Sequence, residues 1–441
     1  MKNILKKQYL KIEFTLLSPL SIGNGKNEKT DQDIVLNSRG IPYIPGSAVA
    51  GVFRDACKKV MGDEWTQRYF GSIRDNGNDN GNESITESQF RVYDAYIQSE
   101  EYFVSRRDGV ALDDYKYGIP GAKFDREILE SGIIFRTFIE RDMDINESEE
   151  DDAFNKLAEV LHNIPIFFGS KISRGYGRVG NFKIFKKEFS FDTKQGSGWL
   201  DFDMYKDNCW KRSLEISKSD KDFLENKKIT LDLENKKITL ELALQGGISV
   251  RQYTTEIKEG VEQVPDMKQL IIRQKNETGN IEEVPVIPGT TWAGAIGHRM
   301  KLFYQNVSEY FGKGGEDGKI RSKIFFSESQ LKNSVSKVIS RNAIDRFTGS
   351  TVDGALFTEQ IYYGGTTVLE IYFDLYKEID LDFIKSLAVA LSDLHEGILA
   401  IGGGTSIGRG IFKVIKVNDL EFFGDGSELY KNILAYCKVE E

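Results

Sequence analysis

Each half of the chain opens on a strict alternation of apolar and polar residues. Leu10, Ile12, Phe14 and Leu16 alternate with Lys11, Glu13 and Thr15, and Ile238, Leu240, Leu242 and Leu244 alternate with Lys237, Thr239 and Glu241. A period of two predicts a half-buried strand at both places. A glycine-bearing loop follows in each case, then a Pro-Gly turn, and then the period changes to that of a helix. In the first half Val49, Val52, Phe53, Ala56 and Val60 form the apolar stripe, with Ser47 the expected cap and Gly62 the expected stop. In the second half Trp292, Ile296, Met300 and Phe303 share a face, and Thr290 or Thr291 is the expected cap. Strands around 134–139 and 368–375 then lead to helices ending near His162 and His395, and strands at 182–185 and 412–417 close each half.

The two halves share motifs as well as rhythm. Ile44-Pro45-Gly46-Ser47, Leu112-Asp113, Gly121-Ala122-Lys123-Phe124 and Ser173-Arg174-Gly175-Tyr176-Gly177 return in the same order. Their counterparts are Ile287-Pro288-Gly289-Thr290, Ile344-Asp345, Gly354-Ala355-Leu356-Phe357 and Ser406-Ile407-Gly408-Arg409-Gly410. Matching positions lie roughly 230 to 240 residues apart, far beyond solenoid or propeller periods, so the repeated unit is a whole domain. The pattern predicts an α+β protein of two tandem elaborated ferredoxin-like or RRM-like domains, 1–190 and 229–441, joined by a polar connector at 191–228. The end of that connector carries a tandem copy, residues 225–233 followed by 234–242, which reads as a local duplication.

Composition narrows the chemistry. The 441 residues carry a net charge of −9, which opposes nucleic-acid binding because phosphates need lysines and arginines. Much of the acid sits in local runs such as 142–152, however, and a sum does not exclude a basic stripe of Arg54, Arg174, Arg178, Arg341, Arg346 and Arg409. Cys57, Cys209 and Cys437 are too far apart for a disulfide framework or a cysteine metal site, and His162, His298 and His395 are too scattered for structural zinc. No window approaches a membrane span and the N-terminal residues lack a secretory apolar run, so a cytoplasmic protein with no membrane partner is expected. Gly175-Tyr176-Gly177-Arg178-Val179-Gly180 matches a dinucleotide fingerprint in letters, but a strand follows it where a helix is required, and no nucleotide cofactor is expected.

These glycines permit close approach of backbone to a phosphate, with Arg174 and Arg178, or Arg409, adding charge; they also suit tight turns alone. The Pro-Gly turns at Gly46 and Gly289 place a helix N-terminus where an anion could bind. Taken together, the Ile-Pro-Gly-Ser/Thr turns, Arg341 to Thr348, the Gly-Ala-x-Phe segments and the closing Gly169 to Arg178 resemble the RAMP superfamily of CRISPR effector proteins. More narrowly, each half resembles the backbone subunit of type III complexes, so that the chain is similar to two such subunits fused, as in type III-D.

The resemblance implies an RRM-like core binding guide RNA (crRNA), a paired target RNA, and a β-hairpin thumb that interrupts the duplex. The implied partners are other RAMP subunits and a large polymerase/cyclase-like subunit. It also implies an aspartate in the loop after the first strand that supports metal-dependent target cleavage, Mg2+ being the expected ion. Asp31 and Asp33 are the matches in the first half and Asp266 in the second, with Asp31 and Asp266 as metal ligands. A carboxylate beside a scissile phosphate can hold a divalent ion and help deprotonate the adjacent 2′-OH. The thumbs fall at 105–124 and 340–357. Implied RNA contacts are Gly46, Ser47, Arg54, Arg107, Arg174, Gly175, Tyr176, Gly177 and Arg178, then Gly289, Thr290, Arg299, Arg341, Asn342, Arg346, Gly404, Ser406, Gly408 and Arg409. The first thumb lacks the Arg341-Asn342 pair, and Arg178 is answered by Ile411. The alternatives are a non-catalytic guide-binding scaffold or capping subunit, and a guide-processing endoribonuclease using His162 and His395.

Overall fold

The computed structural model describes residues 4–23, 32–72, 87–112, 118–144, 152–192, 194–217, 237–253, 265–276, 278–312, 320–374 and 379–437. The chain divides into two compact units, one of Met1–Ser105, Glu127–Ser170 and Gly177–Thr230, the other of Arg106–Arg126, Lys171–Tyr176 and Leu231–Glu441. Two short stretches of the first half therefore belong to the second unit.

The first half supplies β1 (Ile4–Leu16), β2 (Tyr43–Ile44), β3 (Arg91–Val92), β4 (Ala95–Ile97), β5 (Val104–Leu112), β6 (Gly118–Leu129), β7 (Ile134–Asp144), β8 (Ile166–Phe167), β9 (Arg178–Ser190) and β10 (Leu214–Ile216). Its helices are α1 (Gly46–Met61), α2 (Asp63–Phe70) and α3 (Ala153–Asn163). The main sheet runs β10-β9-β1-β7-β4-β2, while β5 and β6 form a separate two-stranded hairpin, with an isolated bridge from Leu129 of β6 to Leu20. Leu10 lies opposite Ile139 on one side and Lys186 on the other, both in antiparallel register. With α1 after β1 and α3 after β7, the β9-β1-β7-β4 order is that of a ferredoxin-like βαββαβ sheet. Alternation in β1 explains the layering: Leu10, Ile12 and Phe14 are buried, and Phe14 stacks on Phe135 and Phe168 at 5.8 and 5.5 Å between ring centroids.

The second half repeats the plan with β11 (Lys237–Gln245), β12 (Gly247–Ile248), β13 (Arg251–Tyr253), β14 (Met267–Gln269), β15 (Ile271–Lys275), β16 (Ile281–Ile287), β17 (Ile324–Phe326), β18 (Ser329–Gln330), β19 (Val335–Arg341), β20 (Phe357–Tyr363), β21 (Thr366–Phe373), β22 (Ile411–Val417) and β23 (Leu420–Glu421). Helices α4 (Gly289–Met300), α5 (Val307–Phe311), α6 (Leu381–His395) and α7 (Gly426–Tyr436) accompany them. Its main sheet, β17-β21-β11-β22-β23, has the same ferredoxin-like order about β11. Ile238, Leu240, Leu242 and Leu244 face a core shared with Trp292, Ile296, Phe383 and Leu387.

The helix starts differ from the sequence expectation. Pro45 and Pro288 are the residues before α1 and α4, neither helix has a side-chain cap, and Ser47 and Thr290 are exposed within the first turn. For α1 the reason is visible: the Asp94 carboxylate already accepts from the Gly46 N–H at 2.7 Å. Gly62, by contrast, ends α1 in the expected way, with a positive φ. Phe303 lies beyond the end of α4 and is half exposed.

Residues 194–216 do more than connect. Trp199, Phe202 and Trp210 cluster with Tyr9, Phe138 and Phe189 on the face of the first sheet opposite α1 and α3. Trp199 Nε1 donates to the Tyr9 hydroxyl at 2.9 Å, the Lys11 ammonium lies over the Trp210 ring, and β10 pairs with β9. The apolar residues in this stretch follow neither strand nor helix period, which is why the sequence pattern reads only as a polar link.

Candidate nucleic-acid interface

An RRM-type sheet reads single-stranded RNA by stacking bases on aromatic residues of its open face. In the first unit that face is already filled by Trp199, Phe202 and Trp210. In the second unit that face carries the ion pairs of Lys237 with Glu370 and of Lys416 with Glu241, and the Lys237 ammonium lies over the Tyr372 ring. The candidate contacts therefore lie in the loops and hairpin arms.

The two closing loops are built alike. Gly175 and Gly177, like Gly408 and Gly410, have positive φ, and each loop contains one short 3-10 turn, Ile172–Arg174 or Thr405–Ile407. A side chain on Gly177 would collide with the Phe168 carbonyl, and one on Gly410 with the Ile401 carbonyl, so the final glycine of each loop is required by packing. The loop amides are engaged within the protein: Gly175 N–H donates to Ile172 O, Gly177 to Pro19 O, Gly408 to Thr405 O and Gly410 to Gly247 O. Phosphate recognition by the loop backbone has no free donor at these four positions, and charge must come from side chains.

The arginines separate into two groups. In the second unit Arg107 is buried against Glu328, with which it makes two charge-assisted bonds, and lies over the Tyr176 ring. Burial lowers its proton affinity but Glu328 more than restores it. Arg409 stands at the position that Tyr176 has in the first loop and is likewise buried, its guanidinium 2.7 Å from Glu359. That contact lies off a straight N–H···O direction, leaving two guanidinium nitrogens without an aligned acceptor. Burial alone would raise the Glu359 carboxyl, but the Arg409 charge and the hydrogen bond from Ser249 hold it below the usual carboxylate range. Arg107 and Arg409 thus brace the interior instead of facing an RNA. Arg299 pairs with Asp393 at 2.7 Å. Arg54 is half-buried on α1, Arg174 half-buried in its loop, and Arg178 half-buried at the start of β9. Ser406 and Gly408 are exposed and Gly404 is half-buried.

The second arm is the hairpin β19–β20, in register from Val335 opposite Tyr363 to Arg341 opposite Phe357. Asn342 and Arg346 are exposed in its tip. Asp345 accepts from the Thr348 and Phe347 amides at 2.8 Å, which depresses its pKa, and so shapes the tip. The first arm is β5–β6, where Phe124 covers Gly109 and Arg106 pairs with Asp125.

Two of the candidate acids, Asp33 and Asp266, lie at the returning strands of the arms, which no linear motif shows. Residues 32–34 are tied to β6, with Glu127 N–H donating to Gln32 O at 3.0 Å and Ile34 N–H to the Glu127 carboxylate at 3.2 Å. Asp33 sits half-buried between these anchors. In the second half Asp266 lies exposed beside β20, its Oδ2 accepting from the Thr358 amide at 2.7 Å and hydroxyl at 3.2 Å. Asp31 and Asp113 lie outside the described residues. Among the described residues no three His, Cys, Asp or Glu side chains converge on a metal position. Mg2+ needs only one or two protein carboxylates where substrate phosphates complete its coordination, and the donors of these loops fit that use.

His162 Nε2 is bonded to the Ile216 carbonyl at 3.0 Å, and His395 Nδ1 accepts the Val414 amide at 3.0 Å. Both rings are held by backbone, as packing residues are.

A scan of protein families finds that the RAMP superfamily matches residues 13–180 and 271–413, one region in each half. The chain belongs to the RAMP superfamily. This RAMP protein has the family's domain twice, in agreement with two ferredoxin-like sheets. RAMP membership makes it a CRISPR-associated RNA-binding protein in general terms, in a superfamily whose members are often ribonucleases. No curated protein matches the chain. Among the described residues no helix is long and apolar enough to cross a membrane.

Proposed function

We propose that this RAMP protein is a fused double backbone subunit of a type III CRISPR complex, with each half holding one interval of a crRNA and its paired target RNA. Its partners are the other RAMP subunits and the large polymerase/cyclase-like subunit of that complex. The observation that carries the reading is that both candidate acid loops are anchored to the returning strand of an arm, through Glu127 on β6 and Thr358 on β20. An arm that opens the guide–target duplex would thereby leave a carboxylate beside the exposed phosphate. Asp31 and Asp33 in the first half, and Asp266 in the second, orient the adjacent 2′-OH and accept its proton. Asp31 or Asp266 would hold the Mg2+ ion, which would supply charge neutralisation at the phosphate. Arg341, Asn342 and Arg346 position the backbone at the second arm.

For the second half a scaffold role without cleavage is the competing reading, favoured by the two bonds that already occupy Asp266 Oδ2. Cleavage of an end-labelled target by the assembled complex in Mg2+ tests both. Asp31→Asn with Asp33→Asn should abolish one cut, at least a hundredfold in rate, and Asp266→Asn a second cut one repeat interval away. Undiminished cutting by the triple variant would overturn the catalytic assignment. Loss of one cut in the double variant, with no second site in the wild type, would make the second half a scaffold.

A further inference from the structure

Asp266 and Thr358, both in the second unit, make three hydrogen bonds to each other. The Thr358 amide donates to Asp266 Oδ2 at 2.7 Å, and its hydroxyl donates to the same oxygen at 3.2 Å. That hydroxyl in turn accepts the Asp266 amide at 3.2 Å, so its single proton and a lone pair are both committed to one neighbour. A hydroxyl used in this way fixes its own rotor and the carboxylate it touches. Both lone-pair directions of Oδ2 are filled, and the capacity to take a proton falls to Oδ1.

The backbone under this clip is held on both sides. Met267, next to Asp266, lies opposite Glu359 in the parallel pairing of β14 with β20. Side chains alternate along a strand, so Glu359 leaves β20 on the face opposite Thr358, where it is buried beside Arg409 and accepts the Ser249 hydroxyl at 2.8 Å. At the far end of β14 Gln269 is buried, accepting the Val250 amide at 2.6 Å and donating to the Val286 carbonyl at 2.9 Å. Arg341, a candidate backbone contact of the second arm, lies opposite Phe357, one residue before Thr358. The first arm is built otherwise. Aligned on the Gly-Ala-x-Phe segments, Asp125 stands where Thr358 does, and it pairs with Arg106.

We propose that Thr358 is a positioning residue for Asp266, holding Oδ2 so that Oδ1 is presented to the 2′-OH of the target strand. The inference rests on the catalytic reading of the second half above and adds to it which oxygen reacts and which residue fixes it. The two bonds on Oδ2 then orient the carboxylate instead of retiring it. In the step so set up, the 2′-OH proton passes to Oδ1 and the 2′-oxygen bonds to phosphorus while the bond from phosphorus to the 5′-oxygen breaks. The 5′-oxygen takes a proton from water, leaving a 2′,3′-cyclic phosphate and a 5′-hydroxyl. A general base depends on being held in line with the proton it removes, and a displacement of about 1 Å lowers the rate by up to roughly a hundredfold.

Single-turnover cleavage of an end-labelled target by the assembled complex, read separately at each cut, tests the assignment. Thr358→Val keeps the shape and the amide and removes the hydroxyl. It should slow the second-half cut about tenfold while the first-half cut and target affinity stay at wild-type values. Tm should fall by no more than about 2 °C, the loss of solvent-facing hydrogen bonds. Thr358→Ser, which returns the hydroxyl, should restore the rate. A full-rate second cut in Thr358→Val, with Asp266→Asn still abolishing it, would overturn the positioning role and leave the catalytic reading standing. Slower cutting with weaker target binding or a larger fall in Tm would also overturn it, since that marks a residue needed only for the fold. Failure of Thr358→Ser to restore the rate would do the same. A second cut indifferent to Asp266→Asn, or absent from the wild type, would remove the catalytic reading of this half and the inference with it.

Discussion

An arginine in a glycine-rich loop has the same letter whether it meets an RNA phosphate or a buried glutamate. Arg107 and Arg409 turn inward to Glu328 and Glu359, while Arg346 and Asn342 are exposed on the second arm. The partner of each inward arginine is distant in sequence, so neither pairing is legible there. The consequence for stability is specific. Arg409→Met leaves the buried Glu359 with only the Ser249 hydroxyl and the Arg251 guanidinium at 3.7 Å, and should cost about 3 kcal/mol in urea unfolding, with most of the loss recovered when Glu359→Met is added. The sign of the pH dependence follows from the depressed Glu359 carboxyl. Its folded pKa lies below the unfolded value, so the pair stabilises the protein above about pH 4.3 and the contribution fades as pH falls through the folded pKa. Unfolding of wild type and Arg409→Met should therefore converge below that pH; a gap that widens in acid would contradict the pairing.

Regular elements were largely legible because their periodicity is a consequence of burial. Leu10, Ile12 and Phe14, and Ile238, Leu240 and Leu242, are all inaccessible where alternation places them. Helices α1 and α4 follow from their stripes, α3 and α6 end close to His162 and His395 as expected, and the two arms appear as hairpins near the expected positions. The helix caps were not legible, since Asp94 reaches Gly46 from a later strand and takes the place expected for Ser47. The cover of residues 194–216 was not legible either, because aromatic packing without a period leaves no pattern to read. The paired glycine loops were legible as repeats but not in what their glycines do. Gly177→Ala and Gly410→Ala should each destabilise by about 2 kcal/mol or more, combining an unfavourable φ with collision against a carbonyl. Gly408→Ala, with open space around it, should cost no more than about 1 kcal/mol from φ alone. Equal losses at Gly410 and Gly408 in chemical denaturation would show that the collision has no weight.

The whole molecule combines a net charge of −9 with membership in a family of RNA-binding proteins. A sum over 441 residues hides where the charge lies: acids pair internally on the second sheet, while among the described residues no carboxylate pairs with Arg126, Lys171 or Arg174. Duplication was legible from the order of motifs alone, and two RAMP regions bear it out. The finer proposal is that the two halves grip one guide in tandem, each arm at its own interval. Photo-crosslinking tests that most directly, with a crosslinking residue at Val110 on the first arm or at Phe347 on the tip of the second, both exposed, in the assembled complex. The account predicts two discrete crosslinked positions on the guide, separated by a constant number of nucleotides whatever the guide sequence. Crosslinks from both arms to one nucleotide, or from only one arm, would contradict it.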